Sequence, residues 1–318
     1  MIKSIEEKLL KIPVLNVVVR FLKSIKIPSF EGLSLYDLLE MYIIGIVKGA
    51  LTSRASAIAF SFFMAIFPFL LFILTIIPYL PVDAHEFMSI VTNLLPPKTS
   101  DFFDSIVEDI VNHQGTGTGV NYVNLVFAMF LMANGVNAIF AGFEYSYHVK
   151  ITRNMFWQYL YSLWVGVILA LLLLVTIVVL IYFEIYIVEY LSELAEKTAG
   201  YNRDQSDLLG VKIGQFLFFT LMIYVGTSVL YYFGTKEGKI TKFFSPGALL
   251  TTVLIILTTY VFGVYVKDFA RYNELYGSIG ALLILMLYIW LNCIILLLGF
   301  ELNASLNRLK LRNARKKK

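Results

Sequence analysis

Six uncharged stretches, each about 20 residues long or more, are the feature of this sequence that most constrains its fold. An α-helix rises ~1.5 Å per residue, so a helix of this length crosses a hydrocarbon core of ~30 Å. Within the hydrocarbon core no water is available, so a single crossing segment satisfies its backbone hydrogen bonds only as a helix. The sequence therefore predicts an all-α bundle of six transmembrane helices, lying within residues 55–82, 115–143, 155–183, 213–235, 243–266 and 275–300.

The composition agrees with a membrane protein and excludes other classes. Of the 318 residues, 58% are hydrophobic and 15% are charged, whereas a soluble domain carries about 25% charged residues. The shortage of charge and the excess of apolar residues exclude intrinsic disorder. The single cysteine, Cys293, excludes an internal disulfide scaffold and a thiolate zinc cluster.

The placement of the charges predicts how the chain crosses the membrane. If the N-terminus is cytoplasmic, the inner segments are 1–54, 144–154, 236–242 and 301–318. They carry 20 Lys and Arg against 8 Asp and Glu, while the outer segments carry 6 and 14. Because Lys and Arg are retained on the cytoplasmic side, we expect a multi-pass plasma membrane protein with both termini in the cytoplasm. Ser245 and Pro246 further predict the start of the fifth span, as an N-cap followed by proline in the first turn.

The charge pattern also divides the chain into regions. A basic, amphipathic N-terminal region covers 1–54, the six-span domain covers 55–304 with outer amphipathic helices at 83–112, and a basic cytoplasmic tail covers 305–318. Cationic clusters attract anionic head groups by ~1 kcal/mol per cation near the surface, so membrane lipids are expected partners at the cytoplasmic face. The aromatic platforms and modules of nucleic-acid readers are missing from the sequence, and we expect no nucleic-acid partner.

The chemistry-bearing residues give little support for an enzyme. No hydrolase, metalloprotease or paired-cysteine motif occurs, and the three histidines, His85, His113 and His148, are scattered along the chain. Asp83, His85, Asp109 and His113 would meet if the outer helices packed together, but a solvated acidic face explains them equally well. We expect no catalytic residues, no metal and no cofactor.

Polar residues within the spans are more informative, because their burial in lipid is costly and they usually face protein or a cavity. Asn134, Asn137 and Glu144 share one face of the second span, and Asn292 and Glu301 lie in the sixth. One interpretation is packing, in which the amides join helices and the two glutamates pair with Arg153 or Arg308. The other is a polar cavity open to the cytoplasm, with Pro68 interrupting the first helix where a cavity needs free carbonyls.

Five motifs resemble those of the YihY/BrkB family of bacterial inner-membrane proteins, once labelled ribonuclease BN-like. They are ASAIAFSFFMAIFPFLLFILTIIPYLP at 55–81, NGVNAI at 134–139, SPGAL at 245–249, YNELYGSIG at 272–280 and LLGFELNA at 297–304. The resemblance implies six helices, an inner-membrane location and an unsettled role around the cell envelope, virulence and lipid handling. The motif residues carried over are Pro68, Asn137, Tyr276, Gly277, Gly299 and Glu301.

Three functional hypotheses remain at this stage. The first is transport or handling of a lipid or other envelope amphiphile, with a candidate substrate pathway of Pro68, Asn134, Asn137, Glu144, Tyr276, Asn292 and Glu301. The second is an envelope scaffold whose outer helices at 83–112 recruit a partner, and the third is a membrane-associated ribonuclease, for which no hydrolytic constellation is present. A homo-oligomer stays open, because Ala55 with Ala59 and Gly277 with Ala281 could pack within one chain or between copies.

Overall fold

The computed structural model describes residues 34–76, 122–149, 152–183, 209–236, 242–268 and 278–316. Within these ranges the chain forms seven helices and no β-sheet. They are α1 (Leu35–Lys48), α2 (Leu51–Ile76), α3 (Tyr122–Glu144), α4 (Met155–Tyr182), α5 (Leu209–Gly234), α6 (Pro246–Asp268) and α7 (Ser278–Lys316). The predicted outer helices at 83–112, with His85 and His113, and most of the basic N-terminal region lie outside the described residues.

Helices α2 to α7 are the six candidate membrane spans. Each contains a segment long and apolar enough to cross a bilayer: Leu51–Leu70, Val126–Glu144, Met155–Tyr182, Ile213–Gly234, Pro246–Lys267 and Gly280–Leu309. The prediction of an all-α, six-span membrane protein is therefore confirmed. Helix α1 precedes the first span and lies within the N-terminal region 1–54 that the sequence predicts to be amphipathic.

The start of α6 follows from local sequence. Helix α6 begins at Pro246, and the Ser245 hydroxyl accepts a hydrogen bond from the Ala248 N–H at 3.2 Å, as an N-cap does. Helix α2 starts at Leu51 and continues through the buried Pro68 to Ile76, so the proline does not end the first span.

The six spans form a closed ring. Each packs against the next along the chain, from α2 on α3 to α6 on α7, and α7 packs back against α2. Helix α1 lies against α7 at the end of the bundle that holds the start of α2. No helix lies at the centre of a ring of six helices. The size of the side chains that point inwards therefore determines whether a cavity remains there.

Small residues bring α2 and α3 together. A Cβ on Gly135 would lie 2.9 Å from Ala65 Cβ, so glycine is required there by close helix packing. A Cβ on Gly142 would lie 2.5 Å from Ile58 Cδ1, so the Ile58 side chain would have to move. Ala55 and Ala59 are buried within the ring. That pair therefore packs inside one chain, while Gly277 lies outside the described residues.

The outward surface of the ring is apolar. Phe60, Trp164 and Tyr260 are 63%, 64% and 73% exposed, and many Leu, Ile and Val side chains are exposed beside them. Such a surface would favour aggregation in water and suits contact with lipid. Each span therefore has a lipid-facing side and a side facing the ring.

Candidate functional site

A cavity of about 490 Å³ lies at the centre of the ring. All six spans contribute to its wall, and its lining is almost entirely apolar. Residues that line it include Phe62, Phe69, Met132, Val136, Leu169, Leu173, Ile223, Leu230, Ile255, Tyr288, Ile289 and Leu296. The volume lies within the ~300–1,000 Å³ typical of sites that bind small molecules.

Two glycines help to keep this central cavity open. Gly166 on α4 and Gly226 on α5 both line it. A Cβ on Gly166 would lie 3.5 Å from Met132 Cε, and one on Gly226 would lie 3.4 Å from Leu172 Cδ2. A Cβ at either position would therefore make ordinary van der Waals contacts, and glycine is not required there by a close approach of helices.

Asn292 is the amide in the wall of the central cavity. Its Nδ2 donates to the Tyr288 carbonyl at 2.8 Å, while its Oδ1 is buried and has no hydrogen-bond partner in the described part of the chain. An unpaired buried acceptor carries a desolvation cost of ~1–3 kcal/mol. The cavity therefore combines a largely hydrocarbon wall with one unsatisfied amide oxygen.

A second cavity, of about 540 Å³, is a groove between α2 and α3. Its walls carry Arg54, Ser61, Asn134, Asn137 and Tyr145 among small and apolar residues. We call this the α2–α3 groove. It is more polar than the central cavity, and the exposed Phe60 and Met64 in its wall place it on the lipid-facing side of the pair.

Asn137 connects the α2–α3 groove to α4. Its amide lies 3.2 Å from the Gln158 amide and 3.5 Å from the Ser162 hydroxyl, within hydrogen-bond distance of both. These contacts are the helix-joining hydrogen bonds of the packing interpretation. Asn137 therefore serves as a structural link and also as part of the groove wall.

A buried ion pair joins α2 to α7. Arg54 Nη2 lies 2.6 Å from Glu301 Oε1, and the two side chains are 7% and 0% exposed. The Ser146 hydroxyl donates to Glu301 Oε2 at 2.9 Å, and Arg54 Nη1 donates to the Gly142 carbonyl at 2.9 Å. The expected partner of Glu301 was Arg153 or Arg308, so the structure corrects that interpretation.

Tyr42 on α1 responds electrostatically to this pair. Burial, followed by the negative charge of Glu301, raises the pKa of Tyr42 to about 12. The Tyr42 hydroxyl therefore stays neutral at ordinary pH, and it links α1 to the end of α7 through its electrostatic interaction with Glu301.

Glu144 lies at a separate contact between α3 and α4. Its Oε1 accepts the Arg153 N–H at 2.9 Å, and the Gln158 amide lies 3.0 Å from its Oε2. The Arg153 guanidinium donates to the Phe233 carbonyl at 2.6 Å and lies 4.4 Å from the centre of the Tyr161 ring. Burial lowers the pKa of Arg153 from its ordinary value.

Helices α6 and α7 are clamped through backbone contact. A Cβ on Gly299 would overlap Thr251 Oγ1 and the Gly247 carbonyl oxygen, so only glycine fits. Asn303 Oδ1 accepts the Gly247 N–H at 2.8 Å, and its Nδ2 donates to the Ser245 hydroxyl at 2.8 Å. The motif around Gly299 thus has a packing role that the sequence alone did not specify.

The candidate pathway residues do not converge on one site. Asn134 and Asn137 line the α2–α3 groove, Asn292 lines the central cavity, and Glu144 and Glu301 lie in separate polar contacts. Pro68 is buried in α2 and lines neither cavity, and Tyr276 lies outside the described residues.

Sequence reasoning missed Arg54 as a buried residue. It immediately precedes the first uncharged stretch and was therefore counted only as a cytoplasmic cation. Gly166 and Gly226 were also missed, because a glycine inside an apolar span gives no sign that it faces a cavity. The sequence signal that such glycines do give is their spacing of three or four residues from other small residues. This spacing is the same whether the glycine packs against another helix or faces a cavity.

Within the described ranges, no group of three or more His, Cys, Asp or Glu side chains could hold a metal ion. Asp83, His85, Asp109 and His113 lie outside those ranges. Cys293 is a buried free thiol.

Comparisons with known proteins agree with the architecture. The model of the family described as Virulence factor BrkB matches residues 45–318. A relative named "Putative ribonuclease-like protein YfkH", from Bacillus subtilis (strain 168), is 27% identical over 263 residues, covering 81% of this chain and 90% of the relative. A UPF0761 membrane protein of Aggregatibacter aphrophilus (strain NJ8700) is 25% identical over 265 residues, covering 81% of this chain and 88% of the relative.

A third relative, a UPF0761 membrane protein of Haemophilus influenzae (strain 86-028NP), is 22% identical over 265 residues and covers 82% of this chain and 92% of the relative. No solved structure matches the chain. The family match spans the end of α1 and every described transmembrane helix, which confirms the resemblance drawn from the motifs. The chain belongs to the BrkB family of integral membrane proteins, whose biochemical role is unsettled.

Proposed function

We propose that this protein handles a lipid or another envelope amphiphile in the bacterial inner membrane, and that the central cavity holds the apolar chain of that molecule. The observation that carries the proposal is the apolar cavity of about 490 Å³ to which all six spans contribute. Both termini lie in the cytoplasm in this proposal, as the excess of Lys and Arg in the inner segments supports.

The wall chemistry supports a hydrocarbon occupant. A cavity lined by Leu, Ile, Phe and Val does not hold water well, and such cavities accept apolar ligands. A hydrocarbon chain that moves from the bilayer into the cavity exchanges one apolar environment for another. Dispersion contacts with the wall and the shape of the cavity then decide affinity.

Handling of an amphiphile requires no covalent chemistry, and we propose that the protein is not an enzyme. The word "ribonuclease-like" belongs to the name of the Bacillus subtilis relative. Incubation of the purified protein with RNA and Mg²⁺ tests this part of the proposal. Cleavage that copurifies with the protein would contradict it.

The cavity proposal is tested by filling the cavity. Gly166→Leu and Gly226→Leu, alone and together, put larger side chains at two positions in the cavity wall where a Cβ makes only ordinary van der Waals contacts. The matched control is Gly263→Leu on α6, because a Cβ at Gly263 meets nothing within 4 Å and the residue does not line the cavity. Each variant is reconstituted in vesicles that contain a phospholipid with a photoreactive diazirine at the end of one acyl chain.

After illumination, mass spectrometry locates the lipid adducts. We expect adducts on cavity residues such as Ile289 and Cys293 in the wild type and in Gly263→Leu. In the double variant they fall about tenfold or more, equivalent to ~1.4 kcal/mol. Equal cavity labelling in the double variant and the control would overturn the proposal.

A further inference from the structure

Asn134 is a polar residue on the lipid-facing surface of the bundle, close to the middle of a membrane span. It lies between Val126 and Glu144, the ends of that span, at separations that correspond to ~12 Å and ~15 Å of helix. Its side chain is exposed and makes no hydrogen bond with any residue in the described ranges. Hydrocarbon supplies neither donor nor acceptor, so an amide at this depth is expected to contact protein.

Other side-chain amides in the spans hold parts of this chain together. Asn137 lies within hydrogen-bond distance of Gln158 and Ser162 on α4. Asn303 on α7 bonds to the start of α6. Asn134 differs because it is exposed on the outer surface of the ring, where the described part of the chain offers it no partner. A second chain is the source from which its amide can gain both a donor and an acceptor.

The face of α3 around Asn134 has the shape of a helix contact. Ala138 and Ala141 are small and partly exposed, and small residues let helices approach closely in a membrane. Phe127 and Tyr145, towards the two ends of the face, are 64% and 77% exposed. The face follows the spacings of three and four residues that are typical of a seam between packed helices: Phe127, Phe130, Asn134, Ala138, Ala141 and Tyr145.

The Asn134 amide is complementary to a second copy of itself. It carries a donor and an acceptor, so two such amides related by a two-fold axis can donate to each other. One asparagine in an apolar seam also fixes the register and the number of chains in a helix contact. An acyl chain offers no hydrogen bond, and lipid head groups lie at the membrane surface, far from the middle of the span.

We propose that the face of α3 around Asn134 is the interface of a homodimer in the membrane. A two-fold axis along the membrane normal relates the copies, so that their Asn134 amides bond to each other and Ala138 and Ala141 pack between the two α3 helices. Phe60 and Met64 on α2, which are exposed beside Asn134, flank the contact. The interface lies outside the ring, so this inference goes beyond the proposed function and does not depend on it.

The strength of the dimer is measured with the full-length protein in vesicles of phosphatidylethanolamine and phosphatidylglycerol. Equal amounts carry a donor or an acceptor fluorophore on a cysteine added after Lys318, in a Cys293→Ala background. Energy transfer during dilution with lipid gives the dissociation constant in the bilayer. We expect Asn134→Leu to weaken the dimer about tenfold, equivalent to ~1.4 kcal/mol, because two hydrogen bonds are lost.

Two further variants separate the amide from a general effect of substitution. Asn134→Gln keeps an amide that can pair with itself and should retain most of the dimer. The matched control is Asn154→Leu, since Asn154 is exposed before α4 and its side chain makes no capping hydrogen bond. We expect the dissociation constant of Asn154→Leu to equal that of the wild type.

Disulfide formation locates the interface on the bundle. Single cysteines replace Ala138 on the proposed face or Val253 on the lipid-facing side of α6, both in the Cys293→Ala background. At high lipid dilution we expect linked dimers from Ala138→Cys and few from Val253→Cys. Gly166→Leu with Gly226→Leu should leave the yield from Ala138→Cys unchanged, since both glycines line the central cavity.

Three results would overturn the proposal. The first is energy transfer no greater than random collisions produce, which indicates a monomer whose Asn134 faces lipid. The second is a dissociation constant that Asn134→Leu leaves unchanged, or equal disulfide yields from Ala138→Cys and Val253→Cys, either of which places the contact elsewhere. The third is cross-linking of Ala138→Cys in its own membrane to a different protein and not to a second copy.

Discussion

The central cavity and the end of the bundle around Glu301 are built in opposite ways. In the second region, which we call the clamped end, Arg54, Ser146 and Glu301 form buried polar contacts and the α6 and α7 backbones touch at Gly247 and Gly299. Around the cavity the wall is formed by apolar side chains and by Gly166, where an added Cβ would make only ordinary van der Waals contacts. The difference suggests a bundle that is fixed at one end and adaptable at its centre.

The clamped end also has the denser aromatic packing. Phe143 and Phe300 stack with ring centres 4.2 Å apart, and the Tyr231 hydroxyl donates to the Leu296 carbonyl at 2.7 Å while also contacting Thr251. Geometry-dependent contacts of this kind have one good arrangement, whereas Leu and Ile contacts have several. Substitutions should therefore be costly at the clamped end and tolerated at the cavity.

The largest effect is expected from breaking the buried ion pair. Arg54→Ala leaves the Glu301 carboxylate buried and unpaired, which should reduce the free energy of unfolding by about 3–5 kcal/mol. Thermal unfolding of the purified protein measures the loss. The double variant Arg54→Met with Glu301→Leu should regain most of it, because no charge remains buried. A loss below about 1 kcal/mol in Arg54→Ala would show that the pair does not hold the clamped end together.

The next effect is expected from one methyl group at the α6–α7 contact. Gly299→Ala introduces a Cβ that overlaps Thr251 Oγ1 and the Gly247 carbonyl oxygen, so the helices must separate. We expect a loss of about 1–3 kcal/mol. Gly263→Ala is the matched control and should be neutral or stabilising by up to ~1 kcal/mol, because it meets no atom within 4 Å and gains helix propensity. Equal unfolding temperatures for the two variants would contradict the clamp.

A smaller effect is expected at the cavity, even from a larger substitution. Gly166→Leu and Gly226→Leu should each change the free energy of unfolding by less than about 1.5 kcal/mol, because both residues line the cavity and a Cβ at each makes only ordinary van der Waals contacts. The comparison with Gly299→Ala is the informative one, measured under the same conditions. If the leucines cost more than the single methyl group, the centre is as rigid as the clamped end.

The smallest effect is a pH dependence at the start of the bundle. The pKa of Tyr42 is raised to about 12 in the folded protein, from an ordinary value of 10.0. The neutral phenol is therefore favoured by folding, so its stabilising contribution is complete below pH ~10 and is lost as the pH rises towards ~12. Tyr42→Phe should flatten this part of the stability curve. An unchanged curve in that variant would assign the alkaline loss to other groups.

The six spans and the start of α6 were predictable because they depend on local sequence. Uncharged length predicts a span, and Ser245 followed by Pro246 predicts a helix start. The contacts between spans were not predictable in the same way. Arg54 and Glu301 are 247 positions apart, and neither residue alone indicates that the other is its partner.

The candidate site was only partly predictable for the same reason. The cost of burying polar groups singled out Asn134, Asn137 and Asn292, and each of them lines a cavity. Their division between two cavities depends on which face of each helix meets its neighbour, and that depends on close-packing residues such as Gly135 and Gly142. Glycines such as Gly166 lie in the wall of the central cavity, and the pattern of apolar residues in the sequence does not show that they do.

Native mass spectrometry of the protein released from its own membrane tests the central claim most directly. We expect a defined amphiphile to remain bound to the wild type and to Gly263→Leu, and to be lost from the variant that combines Gly166→Leu with Gly226→Leu. An empty wild-type protein, or the same bound lipid in all three proteins, would contradict a cavity that holds the apolar chain of an amphiphile.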